Sequence, residues 1–144
     1  MLTSFFQHMI TTRYQKKNDI NNLRRIVIDK MHWQFIKDNH YTKIIALENG
    51  KIIGVTALTI TLGTANLDFI FVHKEKRTRG AGEQLMIHAE KWAQNKKANG
   101  LGVNCSQENK NATRFYLHQG FKQTGKVYNY FSKNTWQLFF WKKI

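Results

Sequence analysis

Residues 107–125 read QENKNATRFYLHQGFKQTG. Inside this stretch Asn109, Ala112, Tyr116, Gly120 and Phe121 stand at fixed intervals. NATRFYLHQ (111–119) has the pattern of a helix, and Gly120 stops it. Just upstream, LGVNC (101–105) reads as a short buried strand. Downstream, the tail from Phe121 to Trp141 is aromatic and alternating, with a break near Ser132-Lys133-Asn134, which predicts a final strand pair.

Further upstream, VHKEKRTRGAGEQLM (72–86) changes character twice. The apolar strand LDFIFV (67–72) ends, a basic run follows, and Gly80 and Gly82 open a helix of about 82–97. Leu85, Met86, Ala89, Trp92 and Ala93 define its apolar face, and Asn99-Gly100 ends it. A strand, a glycine turn and a helix start together aim unpaired backbone N–H groups at one point, and the helix dipole makes that point an anion site. Glycine removes side chains that would hold an anion away, while Arg77 and Arg79 supply charge-assisted donors suited to phosphate. The segment is not a Walker loop, because no Gly-Lys-Ser/Thr follows. Nor is it a dinucleotide fingerprint, since Leu85 stands where the third glycine belongs. Taken alone, it also fits a strand-helix turn with a solvated basic rim.

The first half of the chain completes the order of elements. HMITTRYQ (8–15) predicts a first strand. Asn18 or Asp19 caps a helix whose apolar residues Ile20, Leu23, Val27, Met31 and Phe35 recur at helical spacing. IIAL and IIGVTALTI flank Glu48-Asn49-Gly50-Lys51, where Asn-Gly is the preferred pair for a two-residue hairpin turn. A second turn around Gly63-Thr64-Ala65-Asn66 leads into the strand at 67–72. Strand, helix, three antiparallel strands, helix, strand, helix and two strands make a mixed α/β domain over residues 1–144.

Composition sets the outer limits. With 144 residues, 42% hydrophobic, the chain is expected to form one domain with a sizeable core. The formal charge of +14 favours phosphate-bearing or acidic partners. The single cysteine, Cys105, excludes an internal disulfide and points to a reducing, cytoplasmic compartment. The N-terminal MLTSFFQHMITTRYQ lacks the pattern of a signal peptide, and no apolar run has membrane-spanning length, so no membrane partner is expected. His8, His32, His40, His73, His88 and His118 show no metal-ligand spacing, and no metal is assigned.

Together the two segments resemble the GNAT acetyltransferase superfamily. The family's first signature, Arg/Gln-x-x-Gly-x-Gly/Ala, is met by Arg77, Gly80 and Gly82 after a strand ending in Val72. The second, Asn-x-x-Ala-x-x-x-Tyr-x-x-x-Gly-Phe, is met without a gap by Asn109, Ala112, Tyr116, Gly120 and Phe121, and 27 residues separate Gly82 from Asn109. The resemblance covers roughly Lys43 to Lys126. Lys74 departs from the pattern, standing where many members have proline, and the first 40 residues match only in outline.

The resemblance implies a single GNAT-like domain, with a mixed, mostly antiparallel sheet that splays at the strand before the glycine turn and helices that flank it. It implies transfer of an acetyl group from acetyl-CoA, the co-substrate, to an amine. By the same resemblance, the pyrophosphate cradle maps onto Arg77, Thr78, Arg79, Gly80, Ala81, Gly82 and Glu83, and the pantetheine arm pairs with backbone around Phe71 and Val72. Asn109, Ala112 and Tyr116 also fall to the cofactor, and Tyr116 is the implied general acid. The alternative for Tyr116 is a helix tyrosine packed under the sheet. Of the implied base positions, Asn66, Asp68 and Asn104, only Asp68 is acidic. It is the candidate base; the equal alternative for it is an outward-facing solvated aspartate, and a water relay ending on backbone carbonyls would also suffice. Cys105 reads as a small buried strand residue rather than an acyl carrier. Tyr128 and Tyr130 lie where members often contact the acceptor, and they are equally plausible as sheet aromatics. The charge exceeds what CoA needs, which admits an anionic or RNA-linked acceptor amine and disfavours polycationic ones. The expected oligomeric state is monomer or homodimer. Two other function classes stay open, an acetyl-CoA sensor without turnover and a nucleic-acid-binding module.

Overall fold

The computed structural model describes residues 9–144. Seven strands form one sheet: β1 (Ile10–Tyr14), β2 (Thr42–Glu48), β3 (Lys51–Thr61), β4 (Thr64–Val72), β5 (Gly100–Ser106), β6 (Lys122–Tyr128) and β7 (Trp136–Lys143). They hydrogen-bond in the order β1-β2-β3-β4-β5-β7-β6. The ladders β1–β2, β2–β3, β5–β7 and β6–β7 are antiparallel. The β4–β5 ladder is parallel and short, pairing Ala65 with Leu101 and Asn66 with Gly102. Four α-helices accompany the sheet: α1 (Ile20–Ile26), α2 (Lys30–Lys37), α3 (Ala81–Asn95) and α4 (Lys110–His118). The expected mixed, mostly antiparallel α/β architecture is therefore what the chain adopts. Within the described residues, no helix is long and apolar enough to cross a membrane.

The contacts divide the chain into two compact units. One runs to Thr59 and resumes over Leu67–Trp92; the other comprises Ile60–Asn66 and Ala93–Ile144. The core of the first packs Leu23, Val27 and Ile36 of the helical segment against Ile45, Val55, Ala57 and Phe69 of the strands. In the second, the Tyr116 ring meets Phe121 at 5.9 Å and Phe140 at 5.8 Å, centroid to centroid.

Several expectations need correction. The helix expected from Ile20 through Phe35 is two helices. Val27 leaves the helical region (φ −99, ψ 87), and Asp29 starts α2 by accepting hydrogen bonds from the Met31 and His32 amides. Met31 consequently turns outward, 65% exposed, instead of sharing the apolar face. The first strand covers Ile10–Tyr14; His8 lies outside the described residues. The Asn49-Gly50 turn is as expected, with both residues at positive φ (52 and 77), the type I′ geometry that suits hairpins. The second turn, however, is Leu62-Gly63 (φ 49 and 83), so Thr64–Asn66 already belong to β4.

Helix α3 also ends earlier than Asn99-Gly100. The Ala98 amide donates to Ala93 O and the Lys97 amide to Gln94 O, with Lys97 at φ 57. This is a Schellman close with lysine where glycine is usual. Gly100 instead opens β5 and leaves room for the Trp141 ring, which any Cβ there would strike.

Candidate functional site

In the first unit the site is the turn after β4. Gly80 O accepts the first intrahelical bond of α3, from the Gln84 amide at 3.0 Å, which makes Gly80 the N-cap. Glycine brings no side-chain acceptor, so the amides of Ala81, Gly82 and Glu83 have no partner within the helix. Gly80 sits at φ 91 with open space where a Cβ would be, so it is the backbone rather than crowding that calls for glycine. Thr78 is also left-handed (φ 68), a costly conformation for a β-branched residue, of order 1–3 kcal/mol. Left-handed residues in a turn are an ingredient of anion-binding nests, and the helix dipole adds to them. The donor set therefore fits a phosphate group.

The cations around the turn are arranged rather than loose. Glu48, the last residue of β2, is buried and accepts from Lys76 Nζ at 2.9 Å and from Arg79 Nη1 at 3.3 and 3.4 Å. The hydrogen bond from Lys76, then its charge and Arg79, hold the Glu48 carboxyl below its ordinary range, against the pull of burial. Arg77 donates from Nε to Val72 O at 3.0 Å and lies 5.9 Å from the Phe71 ring centroid. Lys74 and Glu75 are exposed in a 3-10 turn whose start is capped by the His73 ring. Glu48 was not among the residues expected at the site. Its visible signal was a lone carboxylate at the end of an apolar strand, read as part of the hairpin turn.

Asp68, on β4, is exposed and accepts from Thr59 Oγ1 at 2.5 Å. Desolvation by the protein around it raises its carboxyl above the ordinary range, with Thr59 and His40 pulling the other way. Asn66 donates to Thr61 Oγ1 at 3.2 Å, and Asn104 accepts from Gln137 Nε2 at 2.7 Å. Both asparagines thus have partners.

In the second unit, α4 explains the spacing of Asn109, Ala112, Tyr116, Gly120 and Phe121. Asn109 is its N-cap, accepting from the Ala112 amide at 3.1 Å. At the other end Gly120 (φ 90) gives its amide to Leu117 O, and Phe121 gives its amide to Tyr116 O. That is a Schellman close, and the Tyr116–Phe121 ring contact is its usual hydrophobic partner pair. Tyr116 is 5% exposed, and burial raises its hydroxyl well above the ordinary phenol range. Cys105 is buried, 3.6 Å from Thr113 Oγ1, and burial likewise raises its thiol. Both side chains are neutral at physiological pH. Tyr128 and Tyr130 are exposed: Tyr128 packs on Trp136 and Tyr130 on Phe139. Among the described residues no cluster of His, Cys, Asp or Glu is placed to hold a metal.

Comparison with known proteins agrees with both halves. Residues 6–121 match the Acetyltransferase (GNAT) family. The uncharacterized N-acetyltransferase YhfO of Bacillus subtilis (strain 168) is 33% identical over 99 residues, covering 63% of this chain and 66% of that protein, just under two thirds of its length. An aminoglycoside N(6′)-acetyltransferase type 1 of Salmonella typhimurium is 26% identical over 106 residues, 67% of this chain and 73% of that one. Among solved structures, a protein assigned as a streptothricin acetyltransferase from Bacillus anthracis, in complex with acetyl coenzyme A, superposes with a TM-score of 0.81 at 20% identity, covering 96% of this chain and 99% of that one. The ribosomal-protein-S18-alanine N-acetyltransferase of Escherichia coli gives 0.80 at 18% identity, covering 94% of each chain. Those two likenesses show the fold. With the family match spanning both signature segments, the chain belongs to the acetyltransferase (GNAT) family.

Proposed function

We propose that the chain is an N-acetyltransferase that moves an acetyl group from acetyl-CoA directly to a primary amine. The observation that carries this reading is the glycine-capped head of α3, whose free amides and neighbouring arginines suit the pyrophosphate of CoA. Arg77, Thr78, Arg79, Gly80, Ala81, Gly82 and Glu83 form that cradle. The backbone of Phe71 and Val72 positions the pantetheine arm, and the head of α4 at Asn109 and Ala112 serves the same ligand. In direct transfer the amine nitrogen bonds to the acetyl carbon, the C–S bond breaks, and the leaving thiolate takes a proton. Tyr116 supplies that proton: burial keeps the phenol protonated, and the proton moves to the sulfur as the C–S bond breaks and negative charge develops there. Asp68, with its raised pKa, accepts the proton that the amine loses.

The charge of +14 supports an acceptor that is neutral or anionic rather than polycationic, with an RNA-linked amine as one such case. The B. anthracis relative's complex with acetyl coenzyme A supports the choice of donor. A second reading, acetyl-CoA binding without turnover, is favoured by the asparagines at 66 and 104. Thermal shift with acetyl-CoA, followed by CoA-thiol release on a panel of peptides, kanamycin and spermidine, separates them. No thermal shift refutes both readings. A shift with no thiol released on any acceptor selects the second.

A further inference from the structure

The first unit contains a cavity of about 730 Å³ that the acetyl-transfer reading leaves without a role. The end of β1, the turn after it, the end of α2 and the start of β2 form its walls. Lys16, Lys17, Lys37 and Lys43 line it, and no lining residue is acidic. Nearby Asp19 makes a two-pronged pair with Arg13 at 2.7 and 2.9 Å and also accepts from the Lys16 amide at 2.7 Å. Lys43 is partly buried, and its ammonium bonds to the main-chain carbonyls of Ile36 and Asp38 at 3.1 and 2.9 Å. Those two bonds leave the third ammonium hydrogen for another acceptor. Gln15 Oε1 is shut off from solvent and has no hydrogen-bond partner in the structure. Tyr14 and Tyr41 supply aromatic wall.

We propose that this cavity binds a phosphate-bearing anion of up to nucleotide size. Four lysines line the cavity, and the carboxylates of Asp19 and Asp38 beside Lys16 and Lys43 offset only part of their charge, so the balance suits a phosphomonoester or polyphosphate better than a single carboxylate. The volume lies within the ordinary range for small-ligand sites. A base on the ligand would lie against a tyrosine.

The test titrates ADP, and separately inorganic pyrophosphate, calorimetrically into the full chain saturated with CoA, so that the glycine turn is already filled. The triple variant Lys16→Gln/Lys17→Gln/Lys37→Gln is compared with Lys91→Gln/Lys96→Gln/Lys133→Gln, which removes the same charge away from the cavity. Binding of either probe, weakened about tenfold or more by the first triple variant and less than about threefold by the second, is the expected result. Tighter binding of ADP assigns a tyrosine to the base, and equal binding assigns the cavity to the phosphates alone; both support the proposal. No binding of either probe at about 5 mM, or equal weakening by the two triple variants, overturns it. Because acetyl-CoA binding is measured separately in all three proteins, loss of that reading is distinguishable from loss of this one.

Discussion

The hydroxyl of Tyr116 and the thiol of Cys105 lie in one buried region of the second unit, and burial pushes both toward their protonated forms. Removing only the hydroxyl isolates its chemistry, because the phenyl ring still packs on Phe121 and Phe140. Tyr116→Phe should keep its thermal shift with acetyl-CoA while kcat falls about 10²–10⁴-fold, followed as thiol release. Unchanged turnover would remove Tyr116 from the chemistry. Asp68 carries the matching prediction on pH. A base works only when deprotonated, so a raised pKa places the acid limb of kcat/KM above the ordinary carboxylate range. Asp68→Asn should abolish that limb and lower the plateau, and a superimposable pH profile would show that another group accepts the proton. At this scale the sequence exposed the residues whose types are rare in their setting, such as an aspartate in an apolar strand. Glu48 stayed hidden because its partners, Lys76 and Arg79, lie 28 and 31 residues away, and no local pattern encodes such a pairing.

Hairpins and helix ends show where local pattern is enough and where it fails. Asn49-Gly50 was readable because both residues tolerate positive φ. Leu62-Gly63 was not, since leucine has no preference for the left-handed region that it occupies at φ 49. Leu62 is also 99% exposed, so its side chain has no packing to offset that strain. Leu62→Asn should therefore raise stability by about 0.5–1 kcal/mol, read as a higher midpoint in urea at unchanged slope. Lys97→Gly, at the close of α3, should do the same by a similar amount. Gly120→Ala should lower stability by more than about 1 kcal/mol, because φ 90 suits no residue with a Cβ. The break between α1 and α2 was missed because apolar spacing ran on across it with neither proline nor glycine to mark it. The Asp29 cap was the one local sign.

For the molecule as a whole, two carboxylates paired with arginine or lysine are both held low. A side-chain hydrogen bond from Arg13 does this for Asp19, and one from Lys76 does it for Glu48. A folded pKa below the unfolded one adds stability that is present above the ordinary carboxylate pKa, about 4, and lost as pH falls through the folded value. Thermal midpoints should accordingly drop as pH falls below the ordinary carboxylate range. Glu48→Gln should be less stable at pH 7, by about 1–3 kcal/mol once the partial exposure of Lys76 and Arg79 is allowed for, and should show a shallower acid dependence. An equally steep acid limb in that variant would assign it to other groups. Net charge, legible from composition alone, should make the affinity for acetyl-CoA fall as ionic strength rises.

Because α4 is stoppered at both ends, by Asn109 and by Gly120-Phe121, it behaves as a ruler nine residues long, about 13.5 Å by its rise. Substitutions along its outer side leave that length intact. One residue inserted between the stoppers would turn Tyr116 by about 100° relative to Asn109, or pull Phe121 away from the ring on which it closes. Variation in this segment should therefore come as exchanges of side chains and not as changes of length, which is why its motif reads without a gap.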